Sequence, residues 1–158
     1  MALATYSNTG YLNESDARSW VSGHFPLSKN TTFSTNSGAI LTIEQIIKNV
    51  MSSESEVELG ALYIAVIEAE YIQIILKELR HKQPKPPIQT NNYTAEGVIN
   101  KKIEPKRTKS MDMRLYRLRD REYQKKFRFY WQLGPTNHTE YWEKHHPKTH
   151  NKTYGLNF

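Results

Sequence analysis

Apolar side chains recur at two spacings along this chain, and each predicts a different element. Between residues 54 and 79, Leu62, Ala65, Ala69, Ile72, Leu76 and Leu79 repeat at alternating steps of three and four, which predicts a long helix. Its opposite side also carries Ile64, Ile67 and Ile75, so it should be buried between a sheet and another layer. The three prolines of residues 82–87 terminate it. A spacing of two appears over residues 20–27, where Val21, Gly23, Phe25 and Leu27 alternate with Trp20, Ser22 and His24. That predicts a strand, and Pro26, which cannot donate to a ladder, predicts an edge or an early end. The same alternation, Phe127, Phe129 and Trp131 against Arg128, Tyr130 and Gln132, predicts a half-buried strand.

The remaining segments are weaker. Residues 3–7 read as a short strand followed by turn chemistry at Asn8-Thr9-Gly10, and residues 28–38 as a polar loop. Over residues 39–50, Ile43, Ile46, Ile47 and Val50 fit a helical stripe while the β-branched content favours a strand. A short strand at 88–90 leads into a brief helix at 94–100, and a basic linker at 101–109 precedes a helix with Met111, Leu115 and Leu118 on its apolar face. A last short helix is expected near residues 139–144, then a polar tail. Strands first, then helices alternating with strands, indicate an α/β or α+β sheet domain.

Composition narrows the chemistry. The 158 residues suit one domain, and 37% hydrophobic residues suffice for a core. No cysteine is present, which excludes disulfides, thiolate zinc sites, iron–sulfur clusters and a cysteine nucleophile. Lacking an apparent membrane span or secretory signal, the chain is expected to be intracellular and to have no membrane partner. The net charge is +6, but residues 1–76 hold 3 basic and 8 acidic side chains, whereas residues 77–158 hold 19 and 8. A half this basic suggests a polyanion partner, most simply nucleic acid.

One carboxylate stands out by position. Glu58 precedes Leu62, Ala65 and Ala69 by four, seven and eleven residues, so it shares the core-facing stripe of the long helix. Such an acid needs a metal, a cation or a hydrogen-bond donor, unless it serves only the helix amino end. His145-His146 with His150 has metal-like spacing in a tail too polar to hold rigid geometry. Arg114, Arg117 and Arg121 fall at i, i+3 and i+7 on one helix side, which reads as a stripe for phosphate oxygens or as a solvated face partly neutralised by Asp120 and Glu122.

Several segments, taken in order, resemble a known family. Tyr6-Ser7-Asn8-Thr9-Gly10-Tyr11-Leu12 resembles the first strand of the ribonuclease H domain of copia-type LTR-retrotransposon polyproteins, with Asn8 in place of an Asp. The segment 52–65, with Glu56-Val57-Glu58-Leu59, is similar to the one carrying the family's catalytic Glu, which matches Glu58. Gln89-Thr90-Asn91-Asn92 followed by Ala95-Glu96 resembles the Asp-Asn motif that opens the second helix. Arg107-Thr108-Lys109-Ser110-Met111-Asp112-Met113-Arg114 is similar to the family's Arg-Thr-Lys-x-x-Asp-x-Arg block, and Glu140-Tyr141-Trp142-Glu143-Lys144 falls where the last motif has Ala-Asp.

The resemblance implies a ribonuclease H-like α/β fold: a five-stranded mixed sheet, its first three strands antiparallel, with helices on both faces over residues 1–147, and a polar tail at 148–158. It also implies two-metal cleavage of RNA in RNA–DNA hybrids, with magnesium held by four acids and an adjacent reverse transcriptase domain. Here the four positions are Asn8, Glu58, Asn91 and Glu140, so the formal charge falls from −4 to −2. At an effective dielectric near 20, each charge lost about 4 Å from a dication removes about 8 kcal/mol of Coulomb attraction before solvation compensates. The expectation is a catalytically silent domain, with Glu58 and Glu140 holding at most one weak ion. Weak nucleic-acid binding would persist through Lys106, Arg107, Lys109, Arg114, Arg117 and Arg121. The alternatives are an active nuclease with a rearranged site and a non-catalytic protein-interaction domain.

Overall fold

The computed structural model describes residues 2–12, 15–28, 39–48, 50–104 and 112–132. Among these, six strands and three α-helices build one mixed sheet with helices packed on it. Strands β1 (Ala2–Leu3) and β2 (Thr5–Gly10) lie end to end, and both pair antiparallel with β3 (Ser19–Ser28). Ala4 interrupts them without leaving the ladder, donating its N–H to the Pro26 carbonyl at 3.0 Å. β4 (Ala39–Ile47) pairs antiparallel on the other side of β3. β5 (Pro87–Thr90) and β6 (Arg128–Trp131) then add parallel beyond β2. Across the sheet there are thus five positions, β4, β3, β1/β2, β5 and β6, the first three antiparallel as the resemblance implies.

Helix α1 (Glu54–Glu78) packs on β2 and β3 and against α2 (Tyr93–Ile99) and α3 (Asp112–Tyr123). The core joins Val21 and Phe25 of β3, Ile88 of β5 and Phe129 of β6 to Val57, Leu62, Ala65 and Val66 of α1 and Leu115 and Leu118 of α3. Fully burying Phe25 or Leu62 is worth about 2 kcal/mol each, far more than the few tenths by which Val57, Val66 or Ile72 lower helix propensity. Ser53 caps α1 by accepting from the Glu56 N–H at 3.2 Å, which fixes where the first turn starts and hence where Glu58 points. On the sheet's other face Tyr6, Asn8, Ser22 and His24 are buried, while Thr42, Glu44 and Ile46 of β4 are exposed.

Several sequence expectations are corrected. Asn8-Thr9-Gly10 is strand rather than turn, because each residue pairs with β3 (Asn8 with Ser22, Thr9 with Val21, Gly10 with Trp20). Pairing across three strands outweighs local turn preference. Pro26 lies in an interior strand, tolerated because the β3–β4 register shifts between Phe25 and Pro26. Residues 39–50, by contrast, do contain the third strand that the five-stranded architecture requires, against their helical stripe: residues 39–47 are β4, with Leu41 and Ile43 half-buried and Ile46 exposed. Helix α1 is long and apolar enough, by length and composition, to cross a bilayer, contrary to the expectation that no segment is. Here Leu62, Ala65 and Ala69 pack in the core, which accounts for that character.

All three helices end on a basic residue in the left-handed region: Arg80 (φ 62), Lys101 (φ 59) and Lys125 (φ 55). The polar tail at 148–158 and the short helix near 139–144 lie outside the described residues.

Candidate functional site

Parallel strands β2 and β5 lie side by side, so their carboxyl ends deliver Asn8 and Asn91 to one edge of the sheet. The Asn91 side-chain amide donates to the Asn8 side-chain carbonyl. Helix α1 begins over the same edge and brings Glu58, which is 1% exposed. Glu58 reaches the two threonines that flank the asparagines. The Thr9 hydroxyl donates to its Oε2 at 2.8 Å, and the Thr90 hydroxyl to its Oε1 at 2.7 Å. Thr90 in turn accepts from the Asn92 N–H at 3.1 Å, which orients its hydroxyl toward the carboxylate. Trp131, at the end of β6, donates its indole N–H to the Asn91 carbonyl at 3.0 Å and meets the Tyr93 ring edge-on at 5.8 Å.

These contacts give the buried acid its partners. Of the partners open to it, Glu58 has hydrogen-bond donors, one on each oxygen. Burial raises its pKa to about 7 against the opposing pull of the two hydroxyls, and Glu54 adds a smaller push in the same direction. The carboxyl therefore changes charge near neutrality. The sequence held a signal for these partners: Thr9 follows Asn8 and Thr90 precedes Asn91, and a strand with one residue at the edge turns its neighbour to the opposite face.

Of the four expected site positions, Asn8 and Asn91 contact each other, while Glu58 meets their neighbours Thr9 and Thr90 on the opposite face of the two strands. Glu140 lies outside the described residues, as do Lys106, Arg107, Lys109, His145, His146 and His150. Two magnesium ions need several anionic oxygens turned toward one point. At this edge the Asn8 carbonyl is occupied by Asn91, and both Glu58 oxygens are occupied by hydroxyls. Among the described residues no group of three or more His, Asp or Glu side chains is placed to hold an ion. The described residues do not by themselves fit a paired-magnesium site.

The arginine stripe is partly engaged within the fold. Arg117 donates to Glu70 of α1 at 2.9 Å, and Arg121 pairs with the other Glu70 oxygen. Arg114 and Arg117 each sit 5.7 Å from the centre of the Tyr63 ring. The stripe faces α1, so much of its charge holds two helices together. Asp120, expected to neutralise the stripe, does contact Arg121, at 3.2 Å, but the larger partner is Glu70, about 50 residues away in sequence.

Comparisons with known proteins bear on the fold. The ribonuclease H1 of the halophilic archaeon Halobacterium salinarum superposes with a TM-score of 0.59 at 12% identity, covering 88% of this chain and 91% of that one. LC11 ribonuclease H1, isolated from compost by a metagenomic approach and solved with an RNA/DNA hybrid, gives 0.60 at 12% identity over 85% and 88%. The protease-reverse transcriptase of prototype foamy virus gives 0.51 at 11% identity; the match takes in 99% of this chain but 19% of that one. The sequence matches no protein-family profile and no curated protein. These likenesses show that the fold is ribonuclease H-like.

Proposed function

We propose that this chain is a degenerate ribonuclease H domain of a copia-type LTR-retrotransposon polyprotein that binds RNA–DNA hybrid without cutting it. The supporting observation is the saturation of the strand-end cluster. Asn8 and Asn91 bond to each other where the resembled family has two aspartates, and Glu58 is spent on Thr9 and Thr90. A carboxylate with a pKa of about 7 is a poor ligand for a hard dication at neutral pH, because half its population carries a proton. Magnesium is then bound weakly or not at all, and Glu140 alone does not replace the missing charge. Hybrid binding fits the basic second half of the chain and the ribonuclease H neighbour solved with a hybrid. An adjacent reverse transcriptase domain fits the foamy virus neighbour, in which the matching region is a part of a longer polypeptide. On this reading the chain works inside the cell. The test is cleavage of a labelled RNA–DNA hybrid with magnesium or manganese. The native chain should give only background, whereas Asn8→Asp combined with Asn91→Asp should cut. Cleavage by the native chain would refute the inactive reading.

A further inference from the structure

The opposite edge of the sheet, where β5 and β6 begin, carries a second feature of a different kind. A cleft of about 840 Å³ is lined by the last turns of α1, by residues 82–85 and by the end of α3 with the turn after it. Among the described lining residues the acid is Glu70, engaged by Arg117 and Arg121, and the lining Lys85 reaches Glu122 at 3.8 Å. Lys77, Arg80, Lys82, Lys125 and Lys126 are left. All five are exposed, line the cleft, and make no ion pair among the described residues.

Helix dipoles account for part of this charge. Both α1 and α3 end at the cleft, and a cation beside each last turn is favourable by about 0.3–1 kcal/mol. Two helix ends, each equivalent to about half a negative charge, do not balance five cations. Two of the five, Arg80 and Lys125, also occupy left-handed positions where glycine would be unstrained.

We propose that this cleft binds the phosphodiester backbone of nucleic acid, at a site separate from the strand-end cluster. Glu58 and Lys77 lie nineteen residues apart on one helix, roughly 28 Å along its axis. Among the described residues no aromatic ring lines the cleft, so these offer no platform for bases and read charge without sequence. A duplex presents one charge per about 1.7 Å of axis, against one per roughly 3.3 Å for a fully acidic peptide, and cations from three chain segments suit the denser array.

The experiment uses the whole 158-residue chain and a short fluorescein-labelled DNA duplex. Arg80→Gly combined with Lys125→Gly removes two charges at positions whose backbone favours glycine, so the fold is retained and the unfolding midpoint should hold or rise. Binding by the double variant should be about tenfold weaker at low salt, with the slope of log affinity against log salt shallower by about 2. Lys82→Gln with Lys126→Gln, at exposed side chains, should do the same. Amide NMR shifts on duplex titration should centre on residues 77, 80, 82 and 125. Undiminished binding by both variants would overturn the proposal. So would shifts confined to residues 8, 58 and 91, an outcome that leaves hybrid binding at the other edge intact. Displacement of the duplex by tripolyphosphate, or by poly-glutamate of the same total charge at the same concentration, would reassign the cleft to small anions or to an acidic protein.

Discussion

The two edges of this sheet treat charge in opposite ways. At the carboxyl ends of β2 and β5, Glu58 is sealed in and matched atom for atom, and Asn8 and Asn91 satisfy each other. At the amino ends of β5 and β6, Lys77, Arg80, Lys82, Lys125 and Lys126 line an open cleft whose lining carboxylate, Glu70, is already held by Arg117 and Arg121. A ligand is recruited by groups whose hydrogen-bonding or charge capacity is still open. Open sheets of this general kind usually bind ligands outside the carboxyl ends of their strands, and here that edge has been made self-sufficient.

The comparison breaks most severely if a hydroxyl is taken from Glu58. Thr90→Val keeps the shape but leaves a buried carboxylate oxygen and the Asn92 N–H without their partner. At pH 8 it should lower stability by about 3–4 kcal/mol in urea unfolding, and by distinctly less at pH 5. Equal losses at both pH values would mean that Glu58 is not the group being stranded.

Native stability itself should record the same carboxyl. The folded pKa of about 7 lies above the ordinary 4.5. Between those values the unfolded chain has released the proton while the folded chain still holds it, so stability falls as pH rises. The penalty is complete above pH 7 at about 3 kcal/mol. Glu58→Gln should flatten this slope, since each threonine hydroxyl can donate to or accept from the amide. A slope unchanged by that substitution would assign the effect elsewhere.

Smaller changes sharpen the contrast from the basic side. Glu70→Gln frees Arg117 and Arg121 near the cleft. It should cost about 1 kcal/mol of stability while raising duplex affinity about threefold. Lost affinity would show that the arginines must be held against α1 to serve binding. Trp131→Phe removes one partly exposed hydrogen bond to Asn91 and should cost about 0.5 kcal/mol in thermal unfolding. A loss of several kcal/mol would show that Trp131 props up the whole edge.

Much of this was legible in the chain. The alternating three- and four-residue steps from Leu62 to Leu79 located α1, and the same count put Glu58 on its buried side. Resemblance in five short segments led to Asn8 and Asn91, which the structure places in contact. What stayed hidden depends on register or on distant partners. Residues 39–47 carry isoleucines at spacings that suit either a helix or a strand with one side exposed, and pairing with β3 decides between them. Pro26 sits inside the sheet only because the register shifts beside it. Nothing local to α3 announces Glu70, which pairs with two arginines of the stripe from about 50 residues away.

Hybrid cleavage is the most direct measurement. With magnesium or manganese present, the native chain should leave a labelled RNA–DNA hybrid intact, and the chain carrying Asn8→Asp and Asn91→Asp should cut its RNA strand. Cutting by the native chain, or silence from a folded double variant, would contradict the account of a nuclease edge closed by two amides.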